Sequence, residues 1–250
     1  MGVVIDVDAY LTRIGASRGD SLASLHEAHV RSVPFEDYDI HLGIPISLDL
    51  NALQTKVVGR RRGGFCYELN GLFAALLTAL GHRVTLFSAF SLGPDRVPGP
   101  DFHHLLLLVD DAWIADVGNG AAWLRPVAFA PGISENGPID VQVCRDGDAW
   151  WTRERRPGGD WEIDWGWRTR ARQLSEFLPR CRYQEQDPAS SFRARRLAVL
   201  PVPGGRIALE NGVFRETGRP DRTVDSVDER ELLAERFGIT LPDRPWVHGR

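Results

Sequence analysis

Lysine is almost absent from this 250-residue chain: Lys56 stands alone among 30 basic residues, the rest being arginine. A coding bias toward G and C accounts for most of that, and leaves a few arginines at most to clasp carboxylate or phosphate groups. Cysteine is nearly as scarce. Cys66, Cys144 and Cys181 form an odd set with no paired spacing, which argues against a disulfide framework. No CxxC or HExxH spacing occurs, so no metal site is expected. No apolar run approaches the ~18 residues that would cross a bilayer. The opening MGVVIDVDAYLTRIG carries acids early, unlike a secretory signal. These absences point to a reducing cytoplasm with no membrane partner, where a lone thiol persists in usable form. A net charge of -4 speaks against nucleic acid as the main partner. What is present, 43% hydrophobic and 26% charged residues, is enough for a packed globular core.

The apolar pattern changes period along the chain. The first third reads as helical, with Asp20 positioned to cap a helix through Leu22, Leu25 and Ala28 that Pro34 stops. From Glu68 to Leu80, Leu69, Leu72, Phe73, Leu76, Leu77 and Leu80 make one apolar helical face, and Gly81 follows as a terminator. Val84 to Leu92 alternate with period two and predict a strand. Leu105–Val109 and Trp113–Val117 flank Asp110-Asp111, and Ile139–Cys144 and Ala149–Arg153 flank Asp146-Gly147; both read as hairpins. Trp161, Trp165 and Trp167 suggest a further strand, so the middle is β-rich. Beyond Pro188, short strands at 197–200, 206–209 and 213–216 turn at Gly204-Gly205 and Asn211-Gly212, and a helix at 227–237 ends at Gly238. Gly93–Pro100 and Pro157–Asp160 read as long loops.

The segment Arg61-Arg62-Gly63-Gly64-Phe65-Cys66-Tyr67-Glu68-Leu69-Asn70 carries chemistry. The glycines permit a sharp turn and close backbone approach. A helix begins near Cys66, where unpaired N–H groups and the positive helix end meet the sulfur. With two arginines upstream, these surroundings favour thiolate. The plain alternative, a small apolar residue at a helix start, is retained for Cys144 and Cys181, which lack such a setting. A nucleophilic cysteine needs a base, and the base an orienting group. His103 and His104 open the apolar strand His-Leu-Leu-Leu-Leu-Val, and Asp116 ends the returning Trp-Ile-Ala-Asp. A hairpin brings the start of one strand beside the end of the next, so histidine and Asp116 can meet. A strand-edge histidine beside a turn aspartate is the bland reading of the same spacing.

These residues resemble the arylamine N-acetyltransferase family. The likeness rests on RRGGFCYELN around Cys66, HLLLLV from His104 and WIADVGNG containing Asp116. It extends to Tyr10–Ile14, Val33-Pro34-Phe35-Glu36 with Asp39-Ile40, Pro188–Phe192 and Phe237-Gly238-Ile239. It implies an α+β fold with a cysteine-protease-like Cys-His-Asp core: a helical bundle over 1–83 bearing Cys66, a β-barrel over 84–182 bearing His104 and Asp116, and an α/β lid over 183–250. It also implies ping-pong chemistry with no permanently bound cofactor. Cys66 takes an acyl group from an acyl thioester such as acetyl coenzyme A and passes it to a small aromatic amine, with His104, rather than His103, relaying protons and Asp116 holding it. Gly118, Gly120, Ser190, Ser191 and Phe192 are where coenzyme contacts are expected. The chain departs from the family pattern in a short 104–116 hairpin, Asn119 in place of an aromatic residue, Phe90 for arginine, Asp37 for asparagine and a trimmed C-terminus.

Three other readings compete. An amide-synthase branch of the same family cyclises a polyketide chain from an acyl carrier protein onto an intramolecular aryl amine, forming ansamycin-type macrolactams in natural product biosynthesis. A protease or transglutaminase shares the triad logic. A binding module would keep the pocket without needing a reactive thiol.

Overall fold

The computed structural model describes residues 5–91, 97–120 and 123–247; Leu92 of the expected strand, and residues 93–96 of the loop after it, lie outside these. Helix α1 (Val7–Ile14) is capped by Asp6, whose carboxylate accepts the Ala9 N–H at 2.9 Å. Helix α2 (Leu22–Ser32) is capped by Ser21, not by Asp20 as expected. Ser21 accepts the Ser24 N–H, while Asp20 turns back to the Ser17 N–H. A two-residue strand β1 (Phe35–Glu36) leads to helix α3 (Tyr38–His41) and helix α4 (Leu50–Gln54), which runs into a π-turn at Thr55–Gly59. Helix α5 (Cys66–Ala79) follows as the periodicity requires, with Gly81 beyond it at φ 96°.

The core of this helical part forms because α5 is apolar on nearly every side. Leu69, Leu72, Phe73, Leu76 and Leu77 are fully buried, against Tyr10 and Leu11 of α1 and Leu25 of α2. Each such side chain contributes roughly 1.5–3 kcal/mol relative to exposure.

Strands β2 (Val84–Ser91), β3 (His104–Val109), β4 (Trp113–Ala115), β5 (Val127–Ala128), β6 (Gly132–Asn136), β7 (Ile139–Asp146), β8 (Ala149–Arg155) and β9 (Glu162–Arg172) build one eight-stranded sheet. Its order is β5-β4-β3-β2-β9-β8-β7-β6, antiparallel throughout. The edge strands β5 and β6 are joined by residues 129–131, so the sheet nearly closes on itself as a barrel. Strand β3 explains its own run of leucines. Leu105, Leu107 and Val109 face the helices, while Leu106 and Leu108 face the barrel interior with Trp167, Trp150 and Val141. The β3–β4 turn places both Asp110 and Asp111 at positive φ, 53° and 57°, the backbone a tight hairpin demands. In the β7–β8 hairpin Asp146 pairs with Ala149, so the turn is Gly147-Asp148, one residue later than the sequence suggests.

Helix α6 (Leu178–Gln186) was not expected; a short helix α7 (Ser191–Ala194) follows it. Strands β10 (Leu197–Val202), β11 (Gly205–Glu210), β12 (Val213–Glu216) and β13 (Arg222–Thr223) complete a second sheet, covered by helix α8 (Ser226–Phe237). Its fifth strand is β1, which pairs with β10 through Phe35–Val199 and Glu36–Ala198. Among the described residues, no helix is long and apolar enough to cross a membrane.

Candidate active site

The loop before α5 owes its path to contact rather than to a left-handed glycine. A Cβ on Gly63 would lie 2.0 Å from the Pro34 carbonyl oxygen, and one on Gly64 would lie 2.8 Å from the Glu68 carboxylate. The residue that takes the positive φ is Arg61, at 53°. Gly64 bridges to Phe35, and its carbonyl accepts the Glu36 N–H at 2.9 Å. Glu68, in the first turn of α5, accepts the Phe65 N–H at 3.2 Å. Cys66 is thereby fixed as the first residue of the helix.

The upstream arginines do not serve the sulfur as the sequence suggests. Arg62 is buried and paired with Glu36 and Asp39, each at 2.8 Å. Lys56 pairs with Asp39 and Glu68, also at 2.8 Å. Arg61 is exposed. Burial pushes the Cys66 thiol well above its ordinary range, and the Asp116 charge adds to this; main-chain hydrogen bonding from Tyr67 and Leu105 opposes it. An isolated thiol here stays protonated at neutral pH, so the thiolate requires a nearby group to receive the proton.

His104 begins β3 and Asp116 follows β4, and His104 Nε2 meets Asp116 Oδ2 at 2.7 Å, both buried. His104 and Cys66 line one cavity of about 390 Å³. The hydroxyl of Tyr67, next to the cysteine, donates to the carbonyls of Phe102 and His103 at 2.7 and 3.2 Å, docking the helix onto the strand that carries His104. His103 takes a different partner, the Ser91 hydroxyl at 3.0 Å.

Asp116 is held from every side. Its Oδ1 accepts Asn70 Nδ2 at 2.8 Å and the Gly118 N–H at 3.1 Å. Asn70 also donates to the Leu105 carbonyl and accepts the Val117 N–H. Behind it, His26 Nε2 accepts the Asp116 N–H at 3.1 Å, while its Nδ1 meets the Leu124 carbonyl at 3.1 Å. Accepting at one nitrogen and donating at the other makes His26 a neutral ring, and burial lowers its pKa to about 4. Neither residue stood out in the sequence. Asn70 had a signal, since it lies one turn beyond Cys66 on the same helix face; His26 had none.

Of the expected coenzyme contacts, Gly118, Gly120, Ser191 and Phe192 line the cavity and Ser190 does not. Ser190 is buried as the cap of α7, its hydroxyl shared between Gln184 and the Phe192 N–H. Gly118 has a packing reason of its own: a Cβ there would sit 2.7 Å from Cys66 Cα. Phe192 packs edge-on against Phe65, ring centroids 5.3 Å apart. The lining also includes Arg195, Arg206 and Arg215, with Glu210 3.0 Å from Arg215 and 3.8 Å from Arg195. Cys181 is buried and Cys144 lies on β7; neither lines the cavity. Among the described residues, no cluster of three metal-ligating side chains is found.

Comparison with known proteins agrees in kind with this geometry. Residues 20–247 match a family model described as N-acetyltransferase. The arylamine N-acetyltransferase / N-hydroxyarylamine O-acetyltransferase of Salmonella typhimurium is 32% identical, over 94% of this chain and 89% of its own. The solved arylamine N-acetyltransferase of M. smegmatis superposes with a TM-score of 0.86 at 29% identity, covering 96% of this chain and 95% of that one. That of Mycobacterium marinum, solved in complex with CoA, gives 0.84 at 26% identity, covering 94% and 93%.

Proposed function

The chain belongs to the arylamine N-acetyltransferase family, and from that premise we propose that it moves an acetyl group from coenzyme A onto an aromatic amine through an acyl-Cys66 intermediate. The observation that carries the residue assignment is the 2.7 Å contact from His104 Nε2 to Asp116, which leaves Nδ1 for the sulfur across the shared cavity. In the first half-reaction the Cys66 proton passes to His104 Nδ1, and the thiolate attacks the thioester carbonyl. The carbon–sulfur bond to coenzyme A breaks, and the leaving thiolate takes the proton back. In the second half the amine attacks the acyl-enzyme, its surplus proton passes through His104 to Cys66, and the amide leaves. Asp116 keeps the ring in the right tautomer and offsets its transient positive charge. A thiol raised by burial suits this cycle, because the sulfur ionises only as part of a pair.

Arg195, Arg206 and Arg215 in the cavity lining suit a donor bearing phosphates. The solved M. marinum relative with CoA supports a coenzyme A thioester over other donors. We place the chemistry in three parts as the sequence divides them, with Cys66 from 1–83, His104 and Asp116 from 84–182, and the lining arginines from 183–250. The setting proposed is the cytoplasm.

Intact-mass spectrometry after mixing with acetyl coenzyme A tests this directly. The expected result is one acetyl adduct, absent in Cys66→Ala and discharged by an aromatic amine. No adduct on a thiol that still reacts with iodoacetamide would overturn coenzyme A as donor and point to the carrier-bound chain of an amide synthase.

A further inference from the structure

Trp165 lies on β9, opposite Ser91 of β2, two residues along from the row in which His104 faces Ala89. Its ring stacks on the His104 imidazole with centroids 4.4 Å apart and planes 7° from parallel. The indole is also tied at its edge. Its Nε1–H donates to Asn119 Oδ1 at 3.4 Å, and Asn119 Nδ2 donates to Glu154 Oε1 at 3.1 Å. The same Glu154 oxygen accepts the Trp123 indole N–H at 2.6 Å. Asn119, where the chain departs from the aromatic residue of the family pattern, therefore holds an aromatic ring supplied from another strand.

The arrangement has two physical consequences. A ring locked against the face of the imidazole leaves His104 no freedom to rotate out of the plane that joins Asp116 to the cavity. The negative face of an indole also attracts a cation more strongly than a neutral ring. The indole face would thus offset positive charge arriving on His104 when it takes the Cys66 proton.

We propose that Trp165 is a positioning residue for acyl transfer, fixing the plane of His104 and favouring the ionised Cys66–His104 pair, with Asn119 setting the angle of the indole. The inference rests on reading Cys66 and His104 as nucleophile and base. Other charged or titratable groups around His104 are Asp116 at Nε2, with His26 behind it from α2; His103 beside it on β3; Glu154, bonded to the Asn119 that holds the indole; and Arg195, Arg206, Arg215 and Glu210 in the lining of the same cavity. A change at Trp165 removes none of them.

The test reads the pair without any acyl donor: the pH dependence of iodoacetamide labelling at Cys66, followed by peptide mass analysis. Trp165→Phe keeps an aromatic face, whereas Trp165→Leu keeps apolar bulk without one. We expect W165L to label about tenfold more slowly at neutral pH, with its midpoint raised by about one unit, and W165F to stay within about threefold of wild type. Acetyl-enzyme formation should fall by the same factor in W165L, with KM for the amine unchanged. Asn119→Ala, which frees the indole edge but leaves the ring, should slow labelling by about threefold. It serves as the readout should W165L not fold. A wild-type midpoint and rate in both W165L and N119A, or a change in amine KM alone, would make Trp165 a mere wall and overturn the proposal. A wild-type Cys66 labelling no faster than a free thiol would instead sink the underlying assignment, and this inference with it.

Discussion

Two buried polar networks stand behind the site, and they are built from opposite materials. Behind Cys66, Arg62 and Lys56 interlock with Glu36, Asp39 and Glu68, full charges meeting full charges at 2.8 Å. Beside His104, Asp116 is held by an amide, a neutral imidazole and the Gly118 N–H, and among the described residues no arginine or lysine bonds to it. The first network fixes backbone: it joins β1, the π-turn, the glycine loop and the start of α5. The second fixes a carboxylate while leaving its charge available to His104. An arginine on Asp116 would hold it equally well and cancel the charge that the imidazolium needs. Dense ion pairing suits the scaffold, and neutral donors suit a carboxylate whose charge stays available to its neighbour.

The comparison breaks most sharply at Asp116. Asp116→Asn keeps the acceptor toward Asn70 but presents an amide N–H to His104 Nε2, which must then accept. Nδ1 becomes protonated and can no longer take the Cys66 proton, so kcat should fall roughly 10³–10⁴-fold with little change in melting temperature. Single-turnover acetylation with matched thermal melts checks both halves; an undiminished rate would free Asp116 from the mechanism. Glu36→Gln attacks the other network. It leaves Arg62 buried with Asp39 as its remaining ion partner among the described residues and should cost up to about 3 kcal/mol in urea unfolding, with activity per folded molecule preserved. The smallest effect belongs to His26. Its folded pKa of about 4 lies below the unfolded value, so the unfolded chain binds more protons between the two. Stability should therefore be full above about pH 6.5 and decline as pH falls toward 4, by at most roughly 3 kcal/mol. His26→Ala should flatten that decline and cost about 2 kcal/mol at pH 7, by stranding the Asp116 N–H and the Leu124 carbonyl. An unaltered pH profile in the variant would locate the titration elsewhere.

The same contrast marks what could be read from sequence. Helix α5 and the β3–β4 hairpin were legible because period and turn residues are local signals, and they sufficed to bring His104 to Asp116. The surroundings were not. Arg62 sits four residues from Cys66 in the chain, yet its partner Glu36 lies 26 residues upstream and draws its charge away from the sulfur. His26 reaches Asp116 across 90 residues, from a helix face where one histidine looks like any other core residue. Trp165 was legible as strand packing, but its register opposite Ser91, which sets it over His104, was not. Helix α6 was missed because LPRCRYQEQ has too few apolar residues to show a period, although Pro179 in its first turn is a helix-start signal; Cys181 is its main buried anchor.

Strand β1 ties the opening of the chain to its last quarter. The Leu197 N–H reaches the Asp37 carboxylate over 160 residues, while Glu36 in the same segment grips both the glycine loop and Arg62. Contacts so distant in sequence close late, after nearer elements have formed. The segment that frames the Cys66 loop is therefore seated in the second sheet only once residues 197–199 are in place. A chain that stops short of β10 carries Cys66 without that neighbour for β1.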